Sequence, residues 1–246
     1  MAIPDTTIDD LNWADIGLQL DAEGHAVLSG LLGADVARDL ARQASAPGLR
    51  RVVLASSGLG RGELSYFGAG LPAPLESWRT ALYRCLVDIA NRWNEVLGVD
   101  HRYPARLEDF LRHNRQAGQT RAQSHLSRLG VEDHVLLHQR NDGEHVFPMQ
   151  IVAVLSEPGV DFVGGEFVMT EQRPRMQSRP MVLPLRLGDV AVIATAQRPV
   201  KGTEGYYRVN LKHAISRVRE GERIGLELSF HDAPAQRTSA THAGID

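Results

Sequence analysis

After residue 120 the chain is a series of short apolar runs separated by turn-forming residues, and this pattern restricts the fold more than any other feature. The runs are rich in valine, isoleucine, leucine and aromatic residues, which favour β-strands, and glycine, proline or aspartate separates them. Seven strands at this spacing predict a sandwich or barrel rather than alternating βαβ units. The runs are HVLLH, PMQIVAVLS, GEFVMT, PMVLPLRL, DVAVIA, YYRVNLKHA and RIGLELSF.

The first 120 residues have a mainly helical pattern. The clearest helix is predicted for 74–98, where apolar side chains recur every three or four residues and Gly98 is a natural stop. The glycine-rich segment SSGLGRGELSYFGAGLP is predicted to be a loop. Shorter elements are also predicted, with helices for 11–20, 34–44 and 104–117 and strands for 24–30 and 50–56.

The pattern gives no reason to place a domain boundary between the two halves. We predict a single α+β domain over 11–235, in which a helical part at about 11–120 supports a β core at about 121–235. The polar ends of the chain, 1–10 and 236–246, are predicted to be flexible.

The composition excludes several classes of function. Hydrophobic residues make up 43% and charged residues 23% of the chain, as in ordinary globular proteins. The formal net charge of −3 gives no global attraction for a polyanion, so a long nucleic acid is not the expected partner. A single cysteine rules out an internal disulfide and a cysteine-based zinc site. Without a signal-peptide pattern or an apolar run of ~20 residues, we expect a cytoplasmic protein that does not enter a membrane.

Two histidines on strands predicted to be neighbours are candidates for a metal site. His138 ends the run HVLLH, and His213 lies in YYRVNLKHA. Two imidazoles and a carboxylate on one face form the facial triad of non-haem Fe(II) oxygenases, which leaves the other face of the metal open. Arg223 follows His213 by ten positions. It is either a cation for the carboxylate of a keto-acid co-substrate or a solvated arginine in the turn after Gly221.

Five segments carry a resemblance to a known family: RGELSYF (61–67), IANRWNEVLG (89–98), AGQTR (117–121), 145–180, and GYYRVNLKHAISRVREGER with SFHDA. On these segments the chain resembles the 2-oxoglutarate/Fe(II)-dependent dioxygenases, and among them a bacterial group described as nucleic-acid-related. The resemblance implies a double-stranded β-helix (a cupin-like jelly-roll) with helices packed outside it, and Fe(II) and 2-oxoglutarate as cofactors. It implies that His138 and His213 bind the metal and that Arg223 binds the C5 carboxylate of 2-oxoglutarate.

Arg140 is the clearest departure from that family. The resemblance implies a metal-binding motif His-x-Asp, whereas this chain has His138-Gln139-Arg140. A guanidinium cannot be a metal ligand, and it repels a cation placed beside it. Three outcomes are open. Arg140 turns away and leaves a vacant coordination position, another carboxylate replaces the aspartate, or iron binding is lost. The nearest carboxylates in sequence are Asp142, which shares the face of His138 if the strand continues, and Glu144.

The leading hypothesis is an Fe(II)/2-oxoglutarate-dependent enzyme with His138, Arg140 and His213 at its catalytic centre. Its substrate would be a small polar metabolite, either amino-acid-like or a nucleotide, which is oxidised at a C–H bond. The alternatives are a metal-independent enzyme and a non-catalytic binding protein on the same fold. A basic stretch is either an anion-binding loop or a solvated hairpin. It contains Arg173, Arg175, Arg179 and Arg186.

Overall fold

The computed structural model describes residues 8–68 and 70–235. The predicted flexible tail and residues 1–7 of the predicted flexible N-terminus lie outside the described residues. Within those two ranges no helix is long and apolar enough to cross a membrane. The helices are α1 (Trp13–Glu23), α2 (Ala34–Gln43), α3 (Ala73–Val96) and α4 (Leu107–Gln116).

Seventeen strands accompany these helices in the described part of the chain, and they include all seven runs predicted for the second half. The strands are β1 (His25–Leu28), β2 (Arg50–Val53), β3 (Gly60–Arg61), β4 (Glu63–Tyr66), β5 (Gln119–Arg121), β6 (His125–Leu129), β7 (His134–His138), β8 (Met149–Val154), β9 (Phe162–Gly164), β10 (Phe167–Gln172), β11 (Arg179–Leu183), β12 (Val190–Ala194), β13 (Gln197–Gly202), β14 (Gly205–Ile215), β15 (Val218–Gly221), β16 (Arg223–Ser229) and β17 (Ala233–Pro234).

Two antiparallel sheets form the core. The major sheet has seven strands in the order β1-β12-β8-β16-β6-β4-β2, and the minor sheet has the order β11-β10-β14-β7-β3 with β13 also paired to β14. The sheets face one another, because His213 of the minor sheet lies 3.8 Å from Glu227 of the major sheet. This arrangement is the predicted double-stranded β-helix, and the α+β class is confirmed.

The predicted loop around RGELSYF is wrong, because β3 and β4 lie within it. Strand β4 pairs with β2 on one side and β6 on the other, so it is an interior strand of the major sheet. The glycines permit close packing between strands. A Cβ on Gly60 would lie 2.2 Å from the carbonyl oxygen of His134, and one on Gly62 would lie 2.4 Å from Leu129. The N-terminal half therefore adds β1, β2 and β4 to the major sheet as well as supplying the helices.

Helices α3 and α4 are attached to the β core by a cluster of aromatic rings. Tyr83 of α3 lies 5.8 Å from Phe110 of α4, 4.9 Å from Phe147 and 5.9 Å from Phe230, measured between ring centroids. Phe147 precedes β8 and Phe230 follows β16, and all four rings are fully buried. Burial of large rings in such geometry is a major contribution to packing, and here it supports the strands next to the site.

A buried ion pair joins α1 to the minor sheet. Arg198 of β13 and Glu171 of β10 are 1% and 2% exposed, and the Arg198 guanidinium contacts the Glu171 carboxylate. Arg198 also donates to the carbonyl oxygens of Asp21 and Ala22 at 2.6 and 2.8 Å, at the end of α1. The helix therefore ends on a side chain whose charge suits its C-terminal dipole.

His231 fixes the segment that follows β7. Its Nε2 donates to the carbonyl oxygen of Arg140 at 3.0 Å, and its Nδ1 accepts from the backbone N–H of Phe147 at 3.4 Å. These two contacts require the neutral ring with its proton on Nε2. Burial lowers the pKa of His231 to about 4. The turn that carries Arg140 is thereby held against the end of β16.

We predict that Arg198→Met lowers the free energy of unfolding by about 3 kcal/mol, because it removes a buried charge from a hydrogen-bonded network. Urea unfolding followed by circular dichroism measures the change. Arg42→Met is the matched control, since Arg42 pairs with Asp39 on the exposed face of α2 and such pairs contribute little. Equal losses in the two variants would contradict the prediction.

We also predict a specific acid sensitivity from His231. An unfolded histidine binds a proton below about pH 6.5, whereas the folded ring does so only near its lowered pKa. The free energy of unfolding should therefore fall as the pH drops from about 6.5 towards 4, by about 2 kcal/mol at pH 5 for this residue. In His231→Gln that part of the loss should be absent, and in the control His134→Gln it should remain. Parallel pH profiles for all three proteins would exclude the assignment.

Candidate active site

The two histidines predicted to hold a metal meet inside the barrel. His138, at the end of β7, and His213, on β14, are direct cross-strand partners with ring centroids 4.2 Å apart. Nδ1 of His138 lies 2.9 Å from the carbonyl oxygen of Leu136, so Nδ1 carries the proton and Nε2 keeps its lone pair. Burial, and then the neighbouring His213, lower the pKa of His138 to about 3. His138 is thus a neutral imidazole, the form that binds metal ions.

The outer nitrogens of both rings point into the interior. Nε2 of His138 is buried and has no hydrogen-bond partner within residues 8–68 and 70–235. Nε2 of His213 lies 3.2 Å from the side-chain amide of Gln150 on β8, and Phe167 stacks on its ring at 5.8 Å. A buried nitrogen without a partner is uncommon, and an ion is one of the standard explanations.

A third group, absent from the sequence analysis, completes the cluster. Ligand atoms of His138, His213 and Glu227 all lie within 4.8 Å of one another, and no other such group of three is found in the described part of the chain. Oε2 of Glu227, on β16, is 3.8 Å from Nε2 of His213. Burial opposes ionisation of Glu227, but His125, Arg140 and His213 outweigh it, so the pKa of this carboxyl lies well below its usual value.

Arg140 faces this cluster and does not turn away from it. Its Nε lies 3.3 Å from Oε2 of Glu227, and each side chain is 12% exposed. Burial opposes the charge on Arg140, but Glu227 and then Tyr66 outweigh it, so the pKa of the guanidinium is raised. The residue at the aspartate position of the family motif is therefore a permanent cation that is paired with a carboxylate from another strand.

The nearest carboxylates in sequence do not replace the missing aspartate. Strand β7 ends at His138, and the chain then forms an exposed turn that carries Asp142 and Glu144 at the surface. Neither residue belongs to the cluster. The expectation that Asp142 shares the face of His138 required the strand to continue, and it does not.

Register places Glu227 in a row of polar residues that crosses the major sheet. Glu227 of β16 pairs with His125 of β6, His125 with Tyr66 of β4, and Tyr66 with Arg50 of β2. Nε2 of His125 is 3.7 Å from Oε1 of Glu227, and the rings of His125 and Tyr66 are 4.9 Å apart. Cζ of Arg50 lies 4.2 Å from the centre of the Tyr66 ring. The sequence contains one signal for Glu227, because it is a lone carboxylate inside the apolar run RIGLELS.

Arg223 lies on the same strand as Glu227 and on the same face, four residues earlier. It is 2% exposed, and its Nε donates to the carbonyl oxygen of Gly165 at 2.8 Å. Nη1 is buried and finds no hydrogen-bond acceptor among the described residues. Burial lowers the pKa of Arg223 to about 10. These contacts exclude the solvated-turn alternative and leave an N–H available for an anion.

Two glycines make room for this guanidinium. A Cβ on Gly225 would lie 2.6 Å from Nη1 of Arg223, and a Cβ on Gly165 would lie 2.9 Å from its Cδ. Gly165 has a φ of 63°, which a larger residue adopts only with strain.

The residues present fit Fe(II) and 2-oxoglutarate. Two imidazoles and one carboxylate are the donor set of the non-haem Fe(II) triad. The open N–H of Arg223 suits a carboxylate group, which accepts charge-assisted hydrogen bonds.

The arginines of the predicted basic stretch are either paired with carboxylates or exposed. Arg173 pairs with Glu171 at 2.7 Å, and Arg179 pairs with Glu23 at 3.3 Å. Arg175 and Arg186 are exposed. These contacts favour the solvated-hairpin alternative over an anion-binding loop.

Comparison with known proteins agrees with the geometry. The family model Oxygenase-NA, described as an oxygenase catalysing oxidative methylation of damaged DNA, matches residues 62–233. Uncharacterised proteins from two strains of Mycobacterium tuberculosis, CDC 1551 and H37Rv, are each 40% identical over 173 residues, which cover 70% of this chain and 74% of theirs.

Solved structures share the fold. A prolyl-4-hydroxylase from Pseudomonas putida matches with a TM-score of 0.54 and 15% identity, over 91% of this chain and 100% of that one. A 2OG-Fe(II) oxygenase-family oxidoreductase from Burkholderia pseudomallei matches with a TM-score of 0.56 and 18% identity, over 93% and 96%. Since the family model spans more than half of the chain, this protein belongs to the Oxygenase-NA family, on the fold of the 2-oxoglutarate/Fe(II)-dependent oxygenases.

Proposed function

We propose that this oxygenase holds Fe(II) through His138 and His213, binds 2-oxoglutarate through Arg223, and oxidises a C–H bond of a small polar metabolite or nucleotide. The observation that carries the proposal is the buried cluster of two imidazoles and a carboxylate, in which the carboxylate shares a strand with a buried arginine that has an open N–H. When bound, Fe(II) with 2-oxoglutarate supplies an oxidant for C–H bonds.

The residues of the chain position the reactants and exclude water. Leu136 fixes the tautomer of His138, and Phe167 and Gln150 fix the ring of His213. Arg223 anchors the far carboxylate of the co-substrate from a site without bulk water, where a charged hydrogen bond is strong.

A cavity lined by α3, α4 and residues next to the ends of β4 and β6 is a candidate site for a small polar substrate. It has a volume of about 250 Å³, and its lining includes Phe67, which follows β4, and Ser124, which precedes β6. Two arginines, Arg79 and Arg115, and two carboxylates, Glu76 and Asp232, line it as well. Nε of Arg79 is buried without a hydrogen-bond partner among the described residues. A phosphate or carboxylate group would satisfy it.

Damaged nucleic acid is the second candidate substrate, and the description of the family model favours it. Arg50 supports this candidate as well, because it stacks on Tyr66 at the exposed edge strand β2, where a guanidinium can contact a backbone phosphate.

Metal and co-substrate binding test the first part of the proposal. Calorimetric titration with Mn²⁺ in the presence of 2-oxoglutarate should give one site in the wild type and at least about 100-fold weaker binding in His138→Ala, because a ligand is lost. The control His134→Ala, on the same strand, should bind as the wild type does. Arg223→Met should weaken 2-oxoglutarate binding, and the exposed control Arg217→Met should not. A wild type that binds no metal under these conditions would refute the proposal.

Succinate formation tests the substrate class. Nucleoside monophosphates, free amino acids and an alkylated single-stranded oligonucleotide should be compared as stimulators of 2-oxoglutarate turnover by the iron-loaded protein. We expect the nucleoside monophosphates or the amino acids to stimulate turnover, and Arg79→Gln to raise their apparent KM at least about tenfold through loss of a charged contact. Stimulation by the oligonucleotide alone would select the second candidate.

A further inference from the structure

We propose that Glu227 is the carboxylate ligand of the metal and that Arg140 is a resident cation, which makes metal binding depend on 2-oxoglutarate. This inference rests on the proposed function, because it assumes a metal at His138 and His213. It assigns the third ligand to a strand remote from the His-x-Asp position and gives a role to the arginine at that position.

The position of Glu227 suits a third metal ligand beside His138 and His213. Among the described residues, Glu227 alone brings a carboxylate into the group formed with His138 and His213. Strand β16 is hydrogen-bonded to β6 on one side and to β8 on the other, so this side chain projects from the middle of the major sheet and not from a loop. A carboxylate fixed in this way can complete a set of two imidazoles and one oxygen ligand.

One carboxylate oxygen of Glu227 lies between Arg140 and His213. Oε2 of Glu227 faces both Nε of Arg140, at 3.3 Å, and Nε2 of His213, at 3.8 Å. A carboxylate oxygen has two lone pairs, so it can accept from the guanidinium and still bind a metal. The backbone of Arg140 is fixed by His231, so the guanidinium stays beside the site.

The charges at the site explain why 2-oxoglutarate should strengthen metal binding. In the metal-free protein, the positive charge of Arg140 and the negative charge of Glu227 cancel within their ion pair. A divalent metal added to this neutral pair leaves two uncompensated positive charges in a buried site, which is unfavourable at short range. The two carboxylates of 2-oxoglutarate offset that excess. Metal and co-substrate should therefore bind together more strongly than they bind separately, and the coupling is reciprocal.

The test is Mn²⁺ affinity by calorimetry, with and without 2-oxoglutarate, in proteins whose folding and thermal stability are checked first. In Arg140→Gln without 2-oxoglutarate, binding should be about tenfold tighter than in the wild type, because a repelling charge is gone. The factor by which 2-oxoglutarate raises Mn²⁺ affinity should be about tenfold smaller than in the wild type. Arg140→Lys keeps the charge and should keep the wild-type factor.

The role of Glu227 is tested in the Arg140→Gln background, because removal of the carboxylate then leaves no unpaired charge. The double variant Arg140→Gln/Glu227→Gln has two neutral amides in place of the ion pair, so it should fold, and it should bind Mn²⁺ at least about tenfold more weakly than Arg140→Gln. The matched control pair is Arg128 and Glu222, an exposed ion pair at 2.7 Å, and its double exchange to glutamine should leave Mn²⁺ binding unchanged.

The outcomes separate the two proposals. Equal Mn²⁺ affinity in Arg140→Gln and the double variant would overturn the assignment of Glu227. An equal 2-oxoglutarate factor in the wild type and Arg140→Gln would overturn the role of Arg140. In both cases the metal still binds, and the proposed function stands. If no variant binds Mn²⁺ even with 2-oxoglutarate, the proposed function fails together with this inference.

Discussion

The interior of this protein is organised by the requirement that a buried charge must have a partner. Arg198 has Glu171 and two helix carbonyls, and Arg140 has Glu227. Arg223 is as deeply buried as Arg198, yet one of its terminal nitrogens has no partner in the described ranges. Because an unpaired buried polar group costs folding free energy, Arg223, like Arg79 with its Nε unpartnered in the same ranges, is a position where a bound ligand is proposed to supply the missing partner.

Much of the fold and part of the site can be predicted from local sequence. Seven strands follow from alternating apolar runs and turn residues, and the helices follow from a three- and four-residue spacing. Family resemblance contributes to the prediction that His138, His213 and Arg223 are site residues, and the geometry brings the two histidines together. Iron and 2-oxoglutarate agree with the family and the fold neighbours.

The remaining features of the fold and the site depend on pairing between strands that are distant in sequence, and local patterns do not predict this pairing. Glu227 belongs to the site because β16 pairs with β6 in one register, and a shift by one residue would turn its side chain to the other face. The glycines that precede β4 resemble turn signals and so predict a loop, whereas Gly60 and Gly62 permit close contact with β7 and β6. Only the register of the sheet places Tyr66 and His125 in one row with Glu227.

Strand β16 carries both ends of the proposed co-substrate site, and the strand therefore fixes the distance between those two ends. Arg223 and Glu227 are four residues apart on one extended segment, about 13 Å between their α-carbons. Neighbouring strands hold this segment on both sides, so the spacing cannot adjust to a different ligand. Under the proposed roles of these two residues, their spacing sets the length of the dicarboxylate that can reach from Arg223 to the metal.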